Sequence, residues 1–152
     1  MKKRSAGILP YRIRDGSVEI FLIHMGGPYW KKKERSWSIV KGEVQSKERD
    51  FDAALREFEE ETGQRIEGGF LDLGTLESSA KVLHIWAVEA EPSVKIRSNT
   101  FRIEWPPRSG KEEEFPEADR AGWFSLEEVR RVLVRSQLPY LERLKERLNL
   151  CR

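Results

Sequence analysis

Three glutamates, Glu57, Glu60 and Glu61, stand at i, i+3 and i+4, the spacing that lines side chains along one edge of a helix. Like charges at these offsets repel by roughly 0.2–0.5 kcal/mol per pair on an exposed helix. A divalent cation held through oxygen ligands would reverse that term. Residue type and spacing thus predict a metal site, and hard oxygen donors suit Mg2+ or Mn2+ rather than zinc. Phe51, Ala54, Leu55 and Phe58 recur with the helical period and supply an apolar stripe about a quarter-turn from the acidic edge. Gly63 follows as a C-terminal stop. In a chain this rich in glutamate, the bare E-x-x-E-E spacing describes a solvated face. The surrounding residues decide against that reading.

Those residues extend the pattern to Gly42-x5-Glu48-x7-Arg56-Glu57-Phe58-x-Glu60-Glu61-x-Gly63, which resembles the box of the Nudix hydrolase family at every fixed identity. Gln64 departs from it, standing where the family has an aliphatic residue that supports packing. Trp37-Ser-Ile-Val-Lys-Gly42 is similar to the family's W-x-x-P-K-G lead-in, with Val40 in place of proline. Ala121–Val129 resembles the strand and helix near the end of such domains. The resemblance spans nearly the whole chain and implies one domain over residues 1–152, an α/β/α sandwich around a mixed sheet. It further implies that Glu57, Glu60, Glu61 and the Gly42 carbonyl hold Mg2+, with Mn2+ as a substitute. By the same resemblance, Arg56 orients a box glutamate and Glu48 supports the loop or the metal's outer shell. The general base is then either Glu57 or a glutamate after residue 109, where the run Glu112, Glu113, Glu114 lies; Glu113 is the candidate taken from it. Metal ions suit the implied reaction, because they stabilise charge gathering on a cleaved diphosphate and acidify bound water.

The elements that must position these groups follow from pattern. Residues 5–13 and 18–25 predict a hairpin around Asp15-Gly16-Ser17, with Pro10 placing the first strand at an edge or a bulge. Trp37–Val40 predicts a short strand running into Lys41-Gly42. Residues 70–76 and 81–90 predict a strand pair bending near Ser78, and residues 99–105 alternate like a half-buried strand. A loop is expected from Pro106 through the acidic run, then a short strand at Gly122–Phe124. Ser125 and Glu128 form a capping-box pattern, and Pro139 separates that helix from a last amphipathic one. His84, Trp86, Trp105 and Trp123 are expected in structural roles.

A basic, aromatic segment precedes the box. Trp30, Lys31, Lys32, Lys33 and Arg35, with Lys41, are the candidate substrate-binding residues, and Tyr29 and Trp30 offer rings on which a base could stack. A charge run alone is usually a solvated turn; its place just before the box favours phosphate. The proline that follows the box in ADP-ribose hydrolases is missing, with Ser79 and Ala80 there. The tyrosine of many diadenosine polyphosphate hydrolases is replaced by Lys81 and Val82. The lysine-rich loop and the lead-in still favour a long phosphate chain, hence a nucleoside triphosphate or a diadenosine polyphosphate. The rivals are hydrolysis of RNA 5′ ends and a non-catalytic nucleotide-binding module. A net charge of +2 offers no broad field for nucleic acid. No apolar run approaches membrane-spanning length, and a lone Cys151 forms no internal disulfide, which predicts a cytoplasmic enzyme. Monomer and homodimer are both compatible with the sequence.

Overall fold

The computed structural model describes residues 2–150. Its strands are β1 (Lys3–Arg14), β2 (Ser17–Met25), β3 (Trp37–Ser38), β4 (Val40–Glu43), β5 (Leu71–Glu77) and β6 (Lys81–Glu89). β7 (Thr100–Glu104), β8 (Glu112–Pro116) and β9 (Ala118–Ser125) follow. The helices are α1 (Asp50–Thr62), α2 (Leu126–Val132) and α3 (Leu138–Arg147), with a short 3-10 turn at Arg135–Gln137 between the last two.

β1 is the axis of the sheet. One edge pairs in parallel with β6 from Lys3 to Tyr11. The other edge is shared, with Ser5–Ile8 against β4 and Tyr11–Arg14 against β2, both antiparallel. Pro10 therefore lies in a central strand, not at an edge. The Tyr11 carbonyl accepts from Ala90 N–H on the β6 side. By the alternation of a strand, the Pro10 nitrogen faces the other way, into the gap between the β4 and β2 pairings, where no ladder bond is forfeited.

Alternating residues of β2 face opposite sides. Ile20 and Leu22 join the core under α2 and α3, whereas Phe21 and Ile23 join the core under α1. A sheet covered on both faces explains the nearly unbroken apolar run of this strand. The result is the α/β/α sandwich around a mixed sheet that the sequence implies. Ser125 closes its capping box, accepting from Glu128 N–H at 3.2 Å while its own N–H donates to the Glu128 carboxylate at 2.8 Å. Pro139 stands in the first turn of α3, where a missing N–H costs nothing, and the 3-10 turn makes the division expected of it.

Two placements correct the sequence reading. α1 buries Ala53, Ala54, Phe58, Glu61 and Thr62, so its inward stripe runs through Glu61 and the three glutamates do not share one outer edge. Phe51 and Leu55 are only half-buried; Phe58 sets the rotation, and three residues on from it the helix brings Glu61 to the same face. The acidic run is not a loop. Glu112–Glu114 form β8 against Glu104–Arg102 of β7, as a two-stranded hairpin outside the main sheet.

Candidate active site

Arg56 is the hub of the acidic helix. Its Nε and Nη2 donate to the two Glu48 oxygens at 2.9 and 3.1 Å, and Nη1 donates to Glu57 at 2.9 Å and also to Glu60. Nη2 reaches the Glu43 carbonyl at 2.9 Å, which ties the loop after β4 to the helix. Arg56 lowers the Glu48 carboxyl from its ordinary value, and the Arg56 guanidinium is raised by Glu48, Glu60 and Glu57. One cation thus offsets three carboxylates. The i, i+3 repulsion between Glu57 and Glu60 is met by a residue of the helix itself.

Glu61 is treated differently. It is 6% exposed, and burial, followed by the charges of Glu117, Glu57 and Glu60, pushes its carboxyl up to about 8 against a small opposing effect of Lys41. Glu57 is also raised, chiefly by burial. Gly42 makes this closeness possible. A Cβ there would stand 2.0 Å from Glu57 Oε1, so any other residue would expel the carboxylate from its place against β4. The neighbouring Lys41 is half-buried; burial and Lys81 lower its ammonium pKa, whereas Glu57, Glu61 and Glu117 work in the opposite sense.

The fourth carboxylate of the cluster is Glu117, between β8 and β9. Desolvation and Glu60 raise it, and no hydrogen bond or ion pair engages its side chain among the described residues. Asn99, before β7, joins it to the helix. Asn99 N–H donates to the Glu60 carbonyl at 2.9 Å, its Nδ2 donates to Glu60 Oε1 at 3.1 Å, and its carbonyl accepts from Glu117 N–H at 2.8 Å. The β7–β8 hairpin therefore springs from two residues that both touch the acidic cluster.

The basic segment is divided. Lys31 lines a cavity of about 400 Å³ together with Glu113 of β8. Lys32 is exposed, and Lys33 lies over the Trp30 ring at 4.8 Å. Arg35 donates to the Leu133 carbonyl at 3.0 Å and so fastens its loop to the end of α2. Lys41 lines a second cavity, of about 300 Å³, with Ser5, Lys81, Leu83 and Gln137 on the sheet face opposite α1. Lys41 and Gly42 point to opposite faces of β4, so this one strand separates that cavity from the carboxylates. His84 has the structural role expected of it, bridging Asp50 and Asp72 at 3.0 and 2.8 Å.

The NUDIX domain family model matches residues 1–144. This chain belongs to the Nudix domain family. With its box intact it is a Nudix pyrophosphohydrolase. Solved structures share the fold at low identity. A C. elegans Ap4A hydrolase in a binary complex is 19% identical over 97% of this chain and 98% of its own, with a TM-score of 0.66. The NUDIX domain of Shewanella oneidensis NrtR, complexed with ADP ribose, is 14% identical over 97% and 89%, with a TM-score of 0.65. A MutT NUDIX hydrolase from Burkholderia pseudomallei is 21% identical over 95% and 98%, with a TM-score of 0.59. No curated protein matched the sequence.

Glu117 and Asn99 of this Nudix domain are the cluster residues that sequence reasoning did not single out. The acidic run drew attention to Glu113, while the useful indicator, a lone glutamate just before the β9 strand, lay beyond it. Asn99 left no sequence indicator. Its replacement by alanine removes a hydrogen bond to a charged group, worth about 1.5 kcal/mol or more, and should lower kcat/KM about 10-fold. Steady-state kinetics check this; wild-type kcat/KM in Asn99→Ala would remove Asn99 from the site.

Proposed function

We propose that this Nudix hydrolase cleaves a diphosphate linkage in a nucleoside diphosphate bearing a further group, with nucleoside triphosphates and diadenosine polyphosphates as its substrates. The observation that carries the reading is the mutual electrostatic coupling of Glu57, Glu60, Glu61 and Glu117, with Glu57 against Gly42; burial raises Glu57, Glu61 and Glu117 above the usual carboxylate range, Glu61 to about 8.

The donor set fits Mg2+, with Mn2+ as a substitute. It is all oxygen, it carries an excess of negative charge, and the missing Gly42 side chain leaves room for the Glu57 carboxylate against β4. Among the described residues no three acidic or imidazole side chains already converge for a cation, since Arg56 draws Glu57 and Glu60 to itself. Loading the site thus entails an exchange of partners by Glu57 and Glu60, with Glu61 and the Gly42 carbonyl completing the donors. When bound, the cation neutralises diphosphate charge and lowers the pKa of water.

The chain's own groups supply the rest. Glu117, raised in basicity and without an ion pair among the described residues, accepts the proton of the attacking water, a role for which the sequence offered Glu57 or Glu113. Arg56 holds Glu57 and Glu60 until the site is loaded, and its pairing with Glu48 keeps it beside them. Lys41 offsets phosphate charge at the wall between the carboxylates and the cavity lined by Leu83 and Lys81, whose largely apolar surface suits a nucleoside. A cytoplasmic setting, rich in nucleotides and Mg2+, suits this chemistry.

The test is a panel of nucleoside triphosphates, diadenosine polyphosphates and 5′-triphosphorylated RNA with Mg2+, followed by chromatography of the products. Phosphorylated fragments from the first two classes are expected. Turnover of RNA ends alone would replace the substrate assignment, and binding without any product would refute hydrolysis.

A further inference from the structure

We infer that the cavity between the β2–β3 loop and the β7–β8 hairpin is the seat of a second nucleoside, the group on the far side of the cleaved phosphate chain. The inference rests on the hydrolytic reading of the carboxylate cluster and extends it to the identity of the leaving group.

Loop and hairpin interlock at the root of the site. Gly26 N–H donates to the Glu117 carbonyl at 2.9 Å, and a Cβ on Gly26 would lie 1.8 Å from the Pro116 carbonyl oxygen. A Cβ on Gly27 would lie 2.8 Å from the Phe101 ring, and Tyr29 meets Trp105 edge to face at 5.5 Å. Between them remains a cavity of about 400 Å³, lined in part by Lys31, Trp105, Glu113, Phe115, Asp119 and Arg120. That volume lies in the range of small-ligand pockets. Pro116 is also in the wall, and Glu117 is the next residue, about 3.3 Å further along the chain.

The lining chooses the ligand. Lys31 and Arg120 are balanced by Glu113 and Asp119, so the cavity has no surplus of positive charge with which to hold phosphate. It offers instead aromatic walls and fixed donors and acceptors, which an uncharged heterocycle with hydrogen-bonding edges satisfies. Asp119 is held by the buried His24, Nδ1 to Oδ1 at 2.8 Å, and the Arg120 guanidinium lies over Trp37 at 5.4 Å, so these polar groups are set before a ligand arrives. The cavity at Lys41 takes one nucleoside, and this one takes the other. A substrate with a base at each end of its phosphates then fits better than a nucleoside triphosphate.

Calorimetric binding of diadenosine tetraphosphate, ATP and ADP-ribose to the whole chain in EDTA tests this without turnover, in wild type, Trp105→Ala and Trp105→Phe. Base stacking on an aromatic side chain is worth about 1–3 kcal/mol, so Trp105→Ala should lower the preference for diadenosine tetraphosphate over ATP about 10-fold, and Trp105→Phe should restore most of it. An unchanged preference in Trp105→Ala overturns the proposal, as does an equal loss for both ligands. Selective loss of ADP-ribose binding would assign the seat to a sugar and overturn the nucleoside. Retained Trp105-dependent binding beside a wild type that hydrolyses nothing would support the seat while refuting the hydrolytic reading.

Discussion

Gly42→Ala should lower kcat/KM at least about 100-fold while leaving most of the fold intact, because misplacing a catalytic group by about 1 Å can cost that much. The reason is local. The new methyl would overlap Glu57 Oε1 at 2.0 Å, and the carboxylate must leave β4 or β4 must leave the helix. The carboxylate is the softer partner, since it is the end of a flexible side chain whereas β4 is backbone paired into the sheet. Gly7→Ala is the informative contrast. Its methyl would strike the Val40 carbonyl oxygen at 2.3 Å, a backbone clash inside the sheet, so stability falls along with activity. Thermal melts beside kinetics separate the two. Equal loss of melting temperature in both variants would show that Gly42 serves packing alone.

Glu61→Gln should abolish turnover, by roughly 10³-fold, and at the same time stabilise the metal-free protein at alkaline pH. The sign follows from the raised carboxyl. Folded Glu61 keeps its proton up to about 8, whereas an unfolded glutamate releases it near 4.5. Between those values the folded state binds more protons, so wild-type stability falls as pH rises through this window. Below about 4.5 both states are protonated and nothing is lost. Glutamine does not titrate, so the variant lacks this slope and should melt several degrees above wild type beyond pH 8. Glu57 and Glu117, also raised, leave a weaker slope of the same sign in both proteins. Metal binding must release the Glu61 proton, so apparent Mg2+ affinity should climb toward pH 8. Coincident pH–melting curves for wild type and variant would show that burial does not hold this carboxyl neutral.

The helix was legible in the sequence because its determinants are local. Ala54 and Phe58 recur at helical spacing, and Gly63 ends the helix in the left-handed region at φ 74°, its N–H on the Glu59 carbonyl. Its rotation was not. Which side of Phe58 meets the sheet depends on β1 and β4, and that choice buries Glu61 while leaving Glu60 only half-buried. The strands at 18–25 and 81–90 were readable from apolar runs, whereas Pro10 misled because the two-partner edge of β1 is a tertiary fact. Glu112–Glu114 carry little β propensity and form a strand because β7 offers an edge. Glu117 enters the site only through the closure of that hairpin on Asn99.

Titration of Mn2+ followed by electron paramagnetic resonance tests the central claim most directly, that this cluster holds a divalent cation. The account predicts saturable binding to wild type at pH 7.5, displacement by Mg2+, and strong weakening in Glu60→Gln and Glu61→Gln. Mn2+ binding of undiminished strength in both variants would contradict it.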